Sequence, residues 1–166
     1  MILKKRRTFL KLSALGLSSC LLTSTGLVAS STIDTLALAQ QDLYGDFKDA
    51  PKFDELNARA YLSLILTHTR VSESAIRYIK NGARWLDEEA MLLYKKVYIS
   101  LSFKERQKTL KSISKEEWGE EWIYEMLSFV YEALLGDTIY GINKNESGWK
   151  WLHHASGLPR PKKVLL

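Results

Sequence analysis

Any chemistry in this chain would have to come from three histidines, one cysteine and a few clustered carboxylates. His153 and His154 are adjacent, and neighbours in sequence point to different sides of a helical turn, so they make a poor chelating pair. His68 sits in a helical pattern with no evident partner. Glu116, Glu117, Glu120 and Glu121 fall where a helix begins, and carboxylates there complement the positive end of the helix dipole. No Gly-x-Gly-x-x-Gly occurs in residues 40–166, so a dinucleotide site is not expected. The chain is therefore expected to hold no catalytic, cofactor-binding or metal site of its own.

Lys5-Arg6-Arg7-Thr8-Phe9-Leu10-Lys11 carries more information. Arg6 and Arg7 ahead of Phe9, Leu10 and Lys11 form a twin-arginine export signature, read by a receptor that serves proteins folded before export. The usual Ser or Thr is replaced by Lys5. Leu12 to Ser30 follows without a charge and is rich in Leu, Ala, Ser, Thr and Gly, as an export h-region is. Ala37-Leu38-Ala39 then offers the small-x-small pattern of a signal peptidase site, which predicts a leader over residues 1–39 and a mature start at Gln40. Two other readings stand beside cleavage. Leu17-Ser18-Ser19-Cys20 matches a lipoprotein-type box that would anchor Cys20, and the stretch is long enough to remain as an uncleaved membrane helix, which needs roughly 18 apolar residues.

A leader over 1–39 holds five of the 24 basic residues and one of the 19 acidic ones. The formal charge of +5 therefore falls to about +1 beyond it, which removes the electrostatic case for nucleic acid. With Cys20 in the leader, the remainder has no cysteine. That excludes disulfides, Cys-x-x-Cys-His haem attachment, thiolate-held clusters and a thiol nucleophile there. Residues 40–166 suffice for one domain with a core of its own.

Helical periodicity dominates that domain. Residues 40–51 read as an irregular lead-in, and a first helix is predicted over Phe53–Arg70, with Phe53, Leu56, Ala60 and Leu64 along one side. Ser72 and Ser74 are candidate caps for a short second helix that Asn81-Gly82 would stop. A third runs from about Trp85 to Ser100. Capping boxes at Ser102–Glu105 and Ser114–Glu117 predict the starts of the fourth and fifth. The fifth, Lys115 to Leu135, has only a narrow polar stripe at Glu121, Glu125, Ser128 and Glu132, so it is either central or shared with another protein. Gly136 would end it. The expected fold is all-α, an irregular bundle of about five helices with a Gly/Trp/Pro-rich C-terminal tail.

In that tail come Tyr140-Gly141-Ile142-Asn143, Gly148-Trp149-Lys150-Trp151 and Gly157-Leu158-Pro159-Arg160. Trp149 and Trp151 supply large rigid areas that either pack back onto the helices or anchor a partner. With Asp137 ahead of them, these segments resemble the small (gamma) subunits of membrane-bound gluconate 2-dehydrogenase and its relatives. The family tends to show an Asp-Pro-x-Tyr-Gly-Gly-Asn turn, then a Gly-Trp-Lys-like segment, then Gly-x-Pro-Arg. This chain departs at Thr138, where proline is commoner, and at Ile142, where a second glycine is commoner.

The resemblance implies a non-catalytic subunit of a periplasmic complex associated with the inner membrane. An FAD-containing large dehydrogenase subunit would oxidise a sugar or sugar acid, and a cytochrome c subunit carrying haem c would accept the electrons. The small subunit would bind the flavoprotein and carry it, folded around its FAD, through the twin-arginine translocase. The candidate partner interface is then Tyr140, Gly141, Asn143, Gly148, Trp149, Trp151, Pro159 and Arg160. A free-standing periplasmic or lipid-anchored helical binding module, exported by the same route for itself alone, is the alternative.

Overall fold

A computed structural model describes residues 31–45 and 47–157. Arg6, Arg7, Phe9, Leu10, Lys11, Cys20, Pro159 and Arg160 lie outside the described residues. Among those described the fold is all-α, with seven α-helices and no strand. The helices are α1 (Thr32–Tyr44), α2 (Phe53–Leu56), α3 (Ala58–Ile65), α4 (Glu73–Tyr94), α5 (Phe103–Ile113), α6 (Glu117–Leu135) and α7 (Ser147–Trp151). Single 3-10 turns stand at Tyr98–Ser100, Thr138–Tyr140 and Lys144–Glu146.

Helix α1 runs straight through the expected boundary at Ala39. Ser31 caps it, its hydroxyl accepting from the Asp34 N–H, and Asp34 sits favourably in the first turn. Leu36, Ala37, Ala39, Gln40 and Tyr44 are buried, and α1 packs on α3, α4, α5 and α6. Even its polar Thr35, Gln40 and Asp42 are buried, as a helix enclosed on so many sides requires. Its Leu36-Ala37-Leu38-Ala39 stretch resembles the end of an export h-region in composition, but Asp34 sets the helix apart from the charge-free run before it.

Other boundaries also moved. The predicted helix over 53–70 is two short helices, because Asn57 takes a left-handed conformation (φ 58°, ψ 32°) between them. Asn tolerates that conformation better than most residues, and its side-chain amide donates to the Gly141 carbonyl at 2.7 Å. The predicted second and third helices are one helix of 22 residues, capped by the Ser72 hydroxyl and passing through Asn81-Gly82. Gly82 is used for close approach. A Cβ there would lie 2.0 Å from Nε1 of Trp122, whose indole N–H donates to the Ile79 carbonyl at 3.2 Å.

The box at Ser102–Glu105 forms, with the Ser102 N–H donating to the Glu105 carboxylate at 2.8 Å. The box at Ser114–Glu117 does not. Ser114 closes α5 instead, its hydroxyl donating to the Lys111 carbonyl, and α6 starts at Glu117 behind Glu116.

Helix α6 is central, as its narrow polar stripe allowed. Trp122, Met126 and Phe129 join Leu36, Ala39, Leu62, Ile79 and Leu86 in one apolar cluster. Val130, Ala133 and Leu134 join Tyr44, Leu56 and Ile142 in a second. No helix among the described residues is long and apolar enough to cross a membrane.

Candidate functional site

The C-terminal carbonyls of any α-helix lack intrahelical partners and must find others. In α6 the tail supplies them. Asp137 caps the 3-10 turn Thr138–Tyr140 by accepting from the Ile139 N–H at 3.0 Å, and Gly141 at φ 71° reverses the chain. Asn143, fully buried, then donates its backbone N–H to the Ala133 carbonyl at 3.0 Å and its side-chain amide to the Gly136 carbonyl at 3.1 Å. Its side-chain oxygen accepts from the Gly148 N–H at 2.8 Å. The Trp149 indole donates to the Leu135 carbonyl at 2.6 Å. Gly148 has no room for a side chain, since a Cβ would stand 2.0 Å from the Leu134 carbonyl oxygen.

The tail motif is thus a multi-point cap on α6. Ile142, one of the two departures from the family pattern, fills a place in the second apolar cluster. Of the candidate interface residues, Asn143, Gly148 and Trp149 are buried against their own chain, with Trp149 only 8% exposed. Gly141 and Trp151 are half-buried, Trp151 against the second cluster. Tyr140 is the one well-exposed aromatic of the set, at 46%. His154 packs its ring edge-on to Trp149 at 5.5 Å, which ties that histidine to the cap. His153 takes φ 54° just beyond α7, and the His68 ring accepts from the Arg70 N–H at 3.1 Å. Among the described residues no group of three His, Cys, Asp or Glu side chains is arranged to hold a metal ion.

Exposed apolar side chains reveal a surface that the motif reading passed over. Tyr124, Tyr131 and Leu135 stand seven and four residues apart on α6, a spacing that keeps them on one stripe. All three are exposed, Tyr124 to 73%, and Tyr140 follows in the turn just after the helix. Beside Tyr124 is an open depression lined by Tyr78, Glu120, Glu121 and Glu125. Burial and the carboxylates of Glu121 and Glu125 raise the Tyr78 phenol, whose hydroxyl donates to the Trp118 carbonyl at 3.0 Å. A seven-residue Tyr repeat on a helix that joins both apolar clusters was the signal available in the sequence. A second exposed group, Leu92, Leu93, Ile99 and Phe103, lies around the turn from α4 to α5.

Inside, a polar cluster that no local pattern announces joins α1 to α5. The Tyr98 hydroxyl donates to Asp42 Oδ2 at 2.7 Å, and burial, reinforced by that carboxylate, drives the phenol far above its ordinary range. Asp42 in turn holds the Arg106 guanidinium above its usual value. Asp87 accepts from the Tyr98 N–H at 2.8 Å, and burial raises its carboxyl. A phenol locked neutral and an aspartate paired to arginine support packing and offer no free acid or base.

The described residues define an all-α domain whose conspicuous surface is an aromatic stripe and whose tail motif is a helix cap. Compared with protein-family models, with curated proteins and with solved structures, the chain matches none.

Proposed function

We propose that this chain is the non-catalytic small subunit of a periplasmic FAD-dependent, gluconate-type dehydrogenase, an irregular helical bundle with a Gly/Trp/Pro-rich tail. It binds the flavoprotein subunit and supplies the twin-arginine signal for export of the folded pair. The observation that carries this reading is the joining of the Arg6-Arg7 leader to the Asp137–Arg160 tail pattern in one chain. The exposed row Tyr124, Tyr131, Leu135 and Tyr140 supplies a surface of the aromatic kind that protein interfaces favour. FAD sits in the large subunit, and haem c in a cytochrome subunit. The test is deletion of this chain: the large subunit should stay in the cytoplasm, and the two should co-purify when both are present. Export of the large subunit without it would sink the reading.

One observation favours a free-standing periplasmic or lipid-anchored binding module that uses the leader for itself alone. Trp149 is buried in its own chain and Trp151 half so, which supports packing of the tail tryptophans onto their own helices. A mature domain that purifies from the periplasm as a partnerless monomer would decide for the module.

A further inference from the structure

We propose that the turn from α4 to α5 seats this domain on an anionic lipid bilayer, with Leu92, Leu93, Ile99 and Phe103 entering the interface while the lysines around them meet headgroup phosphates. The contact is the domain's own and rests on neither functional reading.

Helices α4 and α5 run back along each other as a hairpin. The Ser112 hydroxyl donates to the Glu89 carboxylate at 2.7 Å, and nearer the turn the Glu105 carboxyl, held down first by the Ser102 hydroxyl, also feels Lys96 and Lys108. The segment between the helices is therefore the tip of the hairpin. Its inward places belong to Tyr98 and Leu101, which are buried, so the other apolar side chains are left outside. Leu92 in the last turn of α4 and Phe103 at the start of α5 are each 62% exposed.

Charge decides what such a tip would meet. Met91 to Lys104 holds three lysines and no acidic residue, although the chain beyond residue 39 is close to neutral. The nearest carboxylates are engaged elsewhere: Asp87 accepts from the Tyr98 N–H, Glu88 lies 4.0 Å from Arg84, Glu89 holds Ser112 and Glu105 closes its capping box. Among the described residues no ion pair includes Lys95, Lys96, Lys104 or Lys108. Lysine is depleted at protein interfaces, whereas at a bilayer its stem lies along the apolar layer and its ammonium reaches the headgroups. Clustered lysines each add attraction to an anionic surface. The exposed stripe of α6 lacks this match, because Glu120, Glu121 and Glu125 flank Tyr124 there. Insertion is to the depth of the side chains only, as for an interfacial helix.

The experiment uses the full-length chain with Cys20→Ser, carrying an environment-sensitive fluorophore on Leu92→Cys in one sample and on Tyr124→Cys in another. Each is mixed with vesicles of phosphatidylglycerol or of phosphatidylcholine. With phosphatidylglycerol the Leu92→Cys label should shift to the blue and be quenched by lipid brominated on its acyl chains, while the Tyr124→Cys label stays in water. Each label reports its own place, so attachment of the leader to a vesicle is not confused with insertion of the tip. Lys96→Gln, Lys104→Gln and Lys108→Gln together should remove most of the shift; Lys95, held at φ 58° as the C-cap of α4, is left in place. A Leu92→Cys label that stays wet with phosphatidylglycerol, responds equally to phosphatidylcholine, or keeps its shift without the three lysines overturns the proposal. A blue shift that appears without lipid as protein concentration rises, or only with a co-purified protein, overturns it too and makes the tip a protein interface.

Discussion

Asp42 on α1 and Arg106 on α5, 64 residues apart, meet through two hydrogen bonds, Nε to Oδ2 at 2.6 Å and Nη2 to Oδ1 at 3.0 Å. The aspartate side chain is 2% exposed. Removing one partner of a buried pair strands the other charge, which typically costs about 3–5 kcal/mol. Arg106→Met should therefore lower the urea midpoint sharply. Adding Asp42→Asn should cost much less than the sum of the single effects, because the two share one network. Additive losses in a double-mutant cycle would show the pair to be uncoupled.

Gly82→Ala tests the approach of α4 to Trp122. Alanine in a helix interior normally gains about 1 kcal/mol over glycine. Here the new methyl would stand within 2.1 Å of the indole Nε1 and Cδ1, and that ring is fully buried. Overpacking of a filled core costs roughly 1–3 kcal/mol, so net destabilisation is expected in thermal unfolding. An unchanged or raised Tm would contradict the packing.

Asn143→Ala removes the acceptor for the Gly148 N–H and the donor to the Gly136 carbonyl, at a residue held at φ 47°. Each buried group left without a partner costs about 1–3 kcal/mol. Loss of the α6 cap should release Trp149, read as a red shift in tryptophan emission before global unfolding. Retained emission with full stability would show that the tail does not depend on this residue.

Acid stability has two opposed parts. The Ser102 hydroxyl, and then its backbone N–H, hold the Glu105 carboxyl below its ordinary value. A lowered folded pKa contributes stability that is present above the unfolded value of about 4 and is lost as pH falls through the folded value. Asp87, raised by burial, acts in the other sense: its contribution is present at low pH and lost as pH rises through the folded value. Glu105→Gln should therefore flatten the loss of stability below about pH 4, and Asp87→Asn should remove a gain that sets in above about pH 4 as the pH falls toward it. Urea midpoints taken across that range measure both slopes.

Arg6→Lys combined with Arg7→Lys should hold the precursor, uncleaved, in the cytoplasm, since the route reads the guanidinium pair and not merely positive charge. Cell fractionation checks this. Normal periplasmic accumulation of the double variant would place export on another route.

Elements fixed by local chemistry were legible in the sequence. Ser72 and Ser102–Glu105 cap helices as their spacing requires, and α6 joins both apolar clusters, although Tyr124, Tyr131 and Leu135 widen its exposed side beyond the stripe at Glu121, Glu125, Ser128 and Glu132. Elements fixed by contacts distant in sequence were not. Asn81-Gly82 reads as a stop until Trp122, forty residues on, is seen to need the space. Asn57 breaks a helix that periodicity makes continuous, while bonding to Gly141. At the surface, Trp149 has the type of an interface anchor, but the unpaired Leu135 carbonyl claims its indole. Tyr124 and Tyr131 stand outward because α6 already spends its other faces on two clusters.

The first helix of this domain is completed late. Gln40 reaches a carbonyl 86 residues downstream, so α1 leaves the ribosome long before its α6 partner. At about 5–20 residues per second, synthesis of that interval takes roughly 4–17 s, and until it ends α1 has only α3, α4 and α5 to pack on as they emerge. Until α6 emerges, the side of α1 that carries Leu36, Ala39 and Gln40 is open to a chaperone. Synthesis of α6, eighty-odd residues on, then sets the moment when that side is closed.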